Sequence, residues 1–158
     1  MKYTIKNPIV FTALLLWFGV FMTVSFVETP LKFQVPGITL PVALELGKIM
    51  FGFSTHFQMA MLAIVAVGFL LGKKRWNWFS VIAYTVIIAT LLLQKFWMLP
   101  VLDARADLLA AGKSIPPTVL HDYFIYSEVV KAIFLVIVIC FQLVRAKNNY
   151  SVNSLITL

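Results

Sequence analysis

Four long apolar runs constrain this chain more than any other feature of its sequence. Residues 9–27 are 19 positions without a charge. Residues 49–71 are 23 positions with His56 as their one ionisable group, and residues 76–94 are 19 more without a charge. The fourth run, 132–144, is uncharged over 13 residues and reaches 22 when extended back to Tyr123, at the cost of enclosing Glu128 and Lys131. A bilayer core about 30 Å thick takes about 20 helical residues, so all four read as membrane-spanning helices. None alternates polar and apolar residues as a barrel strand does. The chain of 158 residues is 61% hydrophobic and 12% charged, against about 45–50% and about 25% in soluble domains. It has too little polar surface to be water-soluble, and too many aromatic and apolar residues to be disordered. The predicted fold class is all-α: a four-transmembrane-helix bundle with helices two and three extended beyond the membrane on the outer side.

The positions of Lys and Arg set the orientation. Lys2 and Lys6 precede the first run, Gly72-Lys73-Lys74-Arg75 joins the second to the third, and Arg145 and Lys147 follow the fourth. With four spans these seven bases share one side, which holds no acid, and they account for the whole net charge of +7. The positive-inside rule makes that side cytoplasmic, with both termini there; in a bacterium the membrane is the inner one. A basic balance that would suggest nucleic acid in a soluble protein is therefore a topology signal, and no nucleic-acid partner is expected. The first run is too long for a signal-peptide core and no small-residue cleavage site follows it, so it is read as retained. The predicted spans are 9–27, 49–71, 76–98 and 120–144, forming one membrane domain over 1–145 with a cytoplasmic tail over 146–158. The expected partners are the lipid bilayer and a second copy or a larger membrane complex. The lone Cys140 excludes an internal disulfide, a paired-thiol redox motif and a multi-thiolate zinc site.

Punctuation residues shape the outer connections. Pro30, Pro36, Gly37 and Pro41 mark an irregular stretch, and Val42, Leu46 and Ile49 then follow helical spacing, so helix two starts early with Pro41 in its first turn. Helix three is expected to run past Pro100 to Ala111, with Gly112 as its C-cap. Asn149-Tyr150-Ser151 matches a glycosylation sequon on the wrong side of the membrane.

Ionisable groups inside spans are costly and mark a function or a partner. His56, Glu128 and Lys131 fall about 10, 8 and 12 Å below the outer boundary at about 1.5 Å per residue. On helix two, Glu45, Lys48, Gly52, His56 and Met59 form a stripe at helical spacing, and His121, Ile125, Glu128 and Ala132 do so on helix four. Turned inward, with Gln94 and Lys95 at the outer end of helix three, these stripes predict a polar pocket in the outer half of the bundle. Its candidate ligand-binding residues are His56, Glu128, Lys131, Glu45, Gln94 and His121. A divalent metal on His56, Glu128 and His121 suits imidazole and carboxylate donors. A haem between His56 and His121 would require helix four to sit lower than its span suggests. The structural alternative stays open as well: Glu128 and Lys131 neutralise each other at i,i+3, His56 bridges helices, and the outer lysines snorkel. No nucleophile triad and no phosphate-cradling glycine loop is present.

Trp17-Phe18-Gly19-Val20-Phe21, Phe26-Val27 and Pro30-Leu31-Lys32-Phe33 open the chain. Gly47, Phe51, His56 and Phe57-Gln58 follow on the second run, then Met98-Leu99-Pro100 with Arg105, and Leu120-His121-Asp122-Tyr123-Phe124 at the fourth. Over about residues 10 to 145 this pattern resembles the family of transmembrane protein 205 and its bacterial relatives, small four-span proteins. The resemblance implies the architecture more than a reaction. It also implies a second polar residue, often His, one turn after Phe124, where this chain has Ser127-Glu128. The functional expectation is a multi-pass membrane protein whose outward-facing pocket binds or passes a small polar solute, metal ion or lipid headgroup, or which serves as an accessory subunit. The alternative is a redox or lipid-modifying enzyme using haem, metal or quinone at that pocket.

Overall fold

The computed structural model describes residues 3–71 and 77–145, and they form the expected all-α bundle of four apolar helices, each long enough to cross a membrane. Helix α1 covers Pro8–Lys32, α2 Leu40–Leu71, α3 Trp78–Ala110 and α4 Leu120–Phe141. The basic loop 72–75, Trp76, Lys2 and the tail 146–158 lie outside the described residues.

Local chemistry explains where the helices begin and end. Asn7 starts α1: its side-chain oxygen accepts from the N–H groups of Ile9 and Val10, two donors that a helix start leaves unpaired. Asn77 does the same for α3 through Phe79 N–H. Gly112 closes the extension of α3 at φ 74°, where a residue with a Cβ would be strained. Helix α2 runs from Leu40 with Pro41 in its first turn, as expected.

Three of the helices outrun their apolar runs, and two of these, α1 and α3, contain a wide turn. Residues Thr23–Glu28 of α1 and Gln94–Met98 of α3 are π-helical. Each wide turn is followed two positions on by a proline, Pro30 and Pro100. A proline has no N–H to offer the carbonyl four residues back, and its ring crowds that carbonyl. The ladder responds by slipping one residue: Thr29 N–H bonds to Val24 O, and Leu99 N–H to Gln94 O, both i to i+5. Thr29 Oγ1 adds a second donor to Val24 O at 2.9 Å. The helices thus pass through their prolines instead of stopping.

Helix α4 is shorter than its expected span. It ends at Phe141, and Leu143–Arg145 pairs antiparallel with Tyr3–Ile5, the two strands β2 and β1. This three-residue pair is the one β element among the described residues, and the absence of spanning strands had not foreshadowed it. It fixes both ends of the described chain at the same end of the bundle, as an even number of crossings requires.

Helix α1 packs on α2 and α4, and α3 packs on α4. Beyond its wide turn, α3 leaves that side and leans onto the outer part of α2. The core stripes follow helical spacing: Val10, Leu14, Trp17 and Phe21 on α1, Ile87, Leu91, Gln94 and Met98 on α3, and Leu120, Phe124, Glu128, Lys131, Leu135 and Val138 on α4. Helix α2 is the exception. It buries small and polar residues, Ala43, Gly47, Ser54, Gln58 and Gly68, and turns Ile49, Phe53, Val67 and Leu70 outward. Small residues let membrane helices approach closely. At Gly68 a Cβ would stand 2.6 Å from Val10 Cγ2.

Candidate functional site

The α4 core stripe carries an ion pair where apolar residues would be expected. Lys131 Nζ donates to Glu128 Oε1 at 2.7 Å, and Lys131 is fully buried. Burial of two charges is tolerated when every donor and acceptor is met, and the surrounding helices provide this. Gln94 Nε2 donates to the same Oε1 at 2.6 Å and to Ser127 Oγ at 2.7 Å, while Gln94 Oε1 accepts from Lys131 Nζ at 2.5 Å. Ser25 Oγ donates to Glu128 Oε2. Ser127 passes its own hydrogen to Phe124 O at 2.6 Å. The Lys131 ammonium also lies 4.6 Å from the centre of the Phe21 ring, a cation–π contact. Ser25 and Gln94 both belong to the π-helical turns, so each proline places a polar side chain against the ion pair. Three helices meet in one network, with Glu128, Lys131 and Gln94 buried and Ser25 and Ser127 half-buried at its edge.

A second buried bond lies deeper on α1 and α2. Trp17 Nε1 donates to Gln58 Oε1 at 3.1 Å, and Gln58 Nε2 donates to Ser54 Oγ at 3.2 Å.

The structure brings together Glu128, Lys131 and Gln94 from the sequence expectation and leaves His56, His121 and Glu45 apart. His56 is exposed on the outer face of α2, its Nδ1 2.7 Å from Gly52 O on the preceding turn. The inward stripe of α2 is therefore Ala43, Gly47, Ser54 and Gln58, rotated from the expected stripe through Gly52 and His56. The expectation failed because it followed the largest ionisable groups, whereas close helix approach selects the small ones. Glu45 is exposed and pairs with Lys48 at 3.5 Å. His121 lies at the start of α4, nearer the outer end. His56, Glu128 and His121 do not assemble, and among the described residues no group of three or more His, Cys, Asp or Glu is placed to hold a metal ion. His56 and His121 likewise do not face each other across a haem-sized space: one points to the outside of α2, the other into the outer cavity.

That cavity is distinct from the ion-pair network. It measures about 360 Å³ and lies between the end of α1, the outer half of α2, the leaning part of α3 and the start of α4. Phe33, Phe51, Leu102 and Phe124 give it apolar walls. Lys32, Lys48, Asp103, Arg105 and His121 give it polar ones. Lys48 ties α2 to α3 through Asp107, and Arg105 donates to Pro116 O, holding the loop before α4. Sequence reasoning missed Ser25 and Lys32. Both sit within five residues of Pro30 in the sequence, and a proline inside an otherwise continuous apolar helix was the available signal.

Comparison with known proteins bears on the lineage alone. The profile of a family described as a domain of unknown function, DUF4149, matches residues 12–108. The chain belongs to the DUF4149 family. The match covers most of α1, all of α2 and nearly all of α3, including both wide turns, Lys32 and Gln94, and ends before Glu128 and Lys131. No curated protein and no solved structure matches this DUF4149 chain.

Proposed function

We infer that this chain is a multi-pass membrane protein that binds a small amphiphilic ligand in the outer cavity, with both termini on the cytoplasmic side. The cavity carries this reading. Its volume falls within the roughly 300–1,000 Å³ usual for small-molecule sites, and it combines aromatic walls with a few converging polar groups. His121 contributes directly, and Glu45 acts at the rim through Lys48. Gln94, Glu128 and Lys131 serve as the brace beneath the cavity, holding α1, α3 and α4 at the level where α3 bends toward α2. The likeness to the transmembrane protein 205 family supports the same four-span frame.

The test is binding by the purified protein in a neutral maltoside detergent, with single-chain amphiphiles as probes and native mass spectrometry as the readout. Ala106→Trp fills the cavity from α3, and the expected result is loss of binding with the helical content unchanged. Binding that persists in Ala106→Trp places the ligand elsewhere and overturns the reading.

A further inference from the structure

Among the described residues, Lys32 is a buried lysine only loosely met, and it stands beside a carboxylate oxygen, Glu28 Oε1, that is itself buried without a hydrogen-bond partner. Its side chain is 6% exposed, yet its Nζ makes no hydrogen bond among the described residues. Glu28 Oε1 stands 3.9 Å away, close enough to offset charge and too far to accept a hydrogen. The rings of Phe33 and Phe51 lie 5.5 and 5.8 Å from the ammonium. An ammonium carries three donors, and Lys32 Nζ keeps open surface at the cavity wall, so those donors are available to a group bound there.

The packing around Lys32 is arranged for it. The backbone of α2 comes close enough that a Cβ on Gly47 would sit 2.8 Å from Lys32 Nζ. Gly47 thus leaves the space that the ammonium occupies, and the ammonium lies at the cavity wall. On the remaining walls, donors outnumber acceptors. Arg105, His121 and Thr118 face the same space, and Asp103 is the single carboxylate among the lining residues. Of the acids outside the lining, Glu45 and Asp107 are held by Lys48, and Glu28 stands 3.9 Å from Lys32 itself.

We propose that the outer cavity takes the anionic head of an amphiphile, a phosphate or carboxylate borne on an acyl chain, with Lys32 as its anchor. The proposal rests on the cavity reading given above and names its ligand class. The head accepts from Lys32 Nζ, and the first part of the chain lies against Phe51, Leu102 and Phe124. Asp103 and Glu28 set a limit on charge, which favours a single anionic group over a polyanion.

The experiment compares three probes on the wild-type protein in a neutral maltoside detergent by native mass spectrometry: lysophosphatidic acid, the monoacylglycerol of the same chain, and inorganic phosphate. The expected order is lysophosphatidic acid about tenfold tighter than the monoacylglycerol, the worth of one charge-assisted hydrogen bond, with inorganic phosphate weaker than either. Lys32→Met removes that preference, Lys32→Arg keeps it, and Gly47→Ala, which displaces the ammonium, reduces it. Equal binding of the two amphiphiles by the wild type overturns the anionic anchor while leaving the cavity reading standing, as does a preference that survives Lys32→Met. Inorganic phosphate binding as tightly as the lysolipid overturns the amphiphile and makes the ligand a free ion. No binding of either amphiphile overturns both this proposal and the cavity reading. The wild-type comparison decides the matter even if Lys32→Met does not fold.

Discussion

Ser25 donates its hydroxyl hydrogen to the Glu128 carboxylate across 103 residues of sequence. It does so from inside a π-helical turn that Pro30 imposes on α1. Gln94 reaches the same carboxylate from the corresponding turn before Pro100 on α3. Wide turns re-aim side chains within a helix and often occur at special sites. Here two of them converge on one buried ion pair, and the bundle bends just above.

Removing one partner of that pair isolates a buried charge. Lys131→Met is expected to lower stability by about 3–5 kcal/mol, read from thermal or denaturant unfolding in detergent. The double variant Glu128→Gln with Lys131→Met should recover much of the loss. A double variant as damaging as the two losses added together would show that the residues act independently.

The prolines are predicted to act through the polar residues beside them. Pro100→Ala permits a regular helix, which rotates Gln94 away from Glu128. Helix propensity alone would make this change stabilising, but a net loss is expected. In a cycle with Gln94→Leu the two changes should couple by about 0.5–3 kcal/mol. Additive effects would mean that the wide turn does not position Gln94.

Close approach of α1 and α2 at the end of the bundle that carries the β1–β2 pair depends on a missing side chain. Gly68→Ala drives a Cβ to within 2.6 Å of Val10 Cγ2, and Asn7 Nδ2 holds Gly68 O at 2.9 Å in the same place. The expected cost is about 1–3 kcal/mol, partly recovered by Val10→Ala in the Gly68→Ala background. A fully tolerated Gly68→Ala would contradict the contact.

The two polar groups of α2 should respond in opposite ways. His56 faces outward, so His56→Ala is expected to shift stability by no more than about 0.5 kcal/mol. Trp17→Phe strips Gln58 of its buried donor and should cost about 1–3 kcal/mol. Unfolding midpoints of both variants, measured side by side, check this, and a larger effect at His56 would place that side chain inside the bundle.

Orientation is testable by cysteine labelling in a Cys140→Ser background. A cysteine at Thr4 should react with an impermeant maleimide only from the cytoplasmic side, and one at Ser114 only from the opposite side. Labelling of both from one side would contradict four crossings.

The fold was legible because its determinants are local and additive. Hydrophobic length identifies a span wherever it lies in the chain, without reference to packing. The C-cap at Gly112 and the early start of α2 at Pro41 are also local, whereas the caps at Asn7 and Asn77 emerged only from the structure. The site was legible only in part. Glu128 and Lys131 stood out because charges in a span are rare, and Gln94 as a polar residue at the outer end of helix three, at the rim of the same space. His56 stood out for the same reason and was misplaced, because rotation about a helix axis is not encoded by one polar residue.

By itself, then, the sequence determined four membrane-crossing helices, their approximate bounds and a buried charge pair that had to be satisfied. Only the tertiary structure decided which groups satisfy it. Ser25 and Gln94 meet Glu128 because two prolines slip the backbone ladder by one residue, a shift whose direction depends on what packs opposite. The tertiary structure also decided that Lys32 is drawn into the bundle. Gly47 offers room at that one point, and a glycine's space acquires meaning only when another helix comes to fill it.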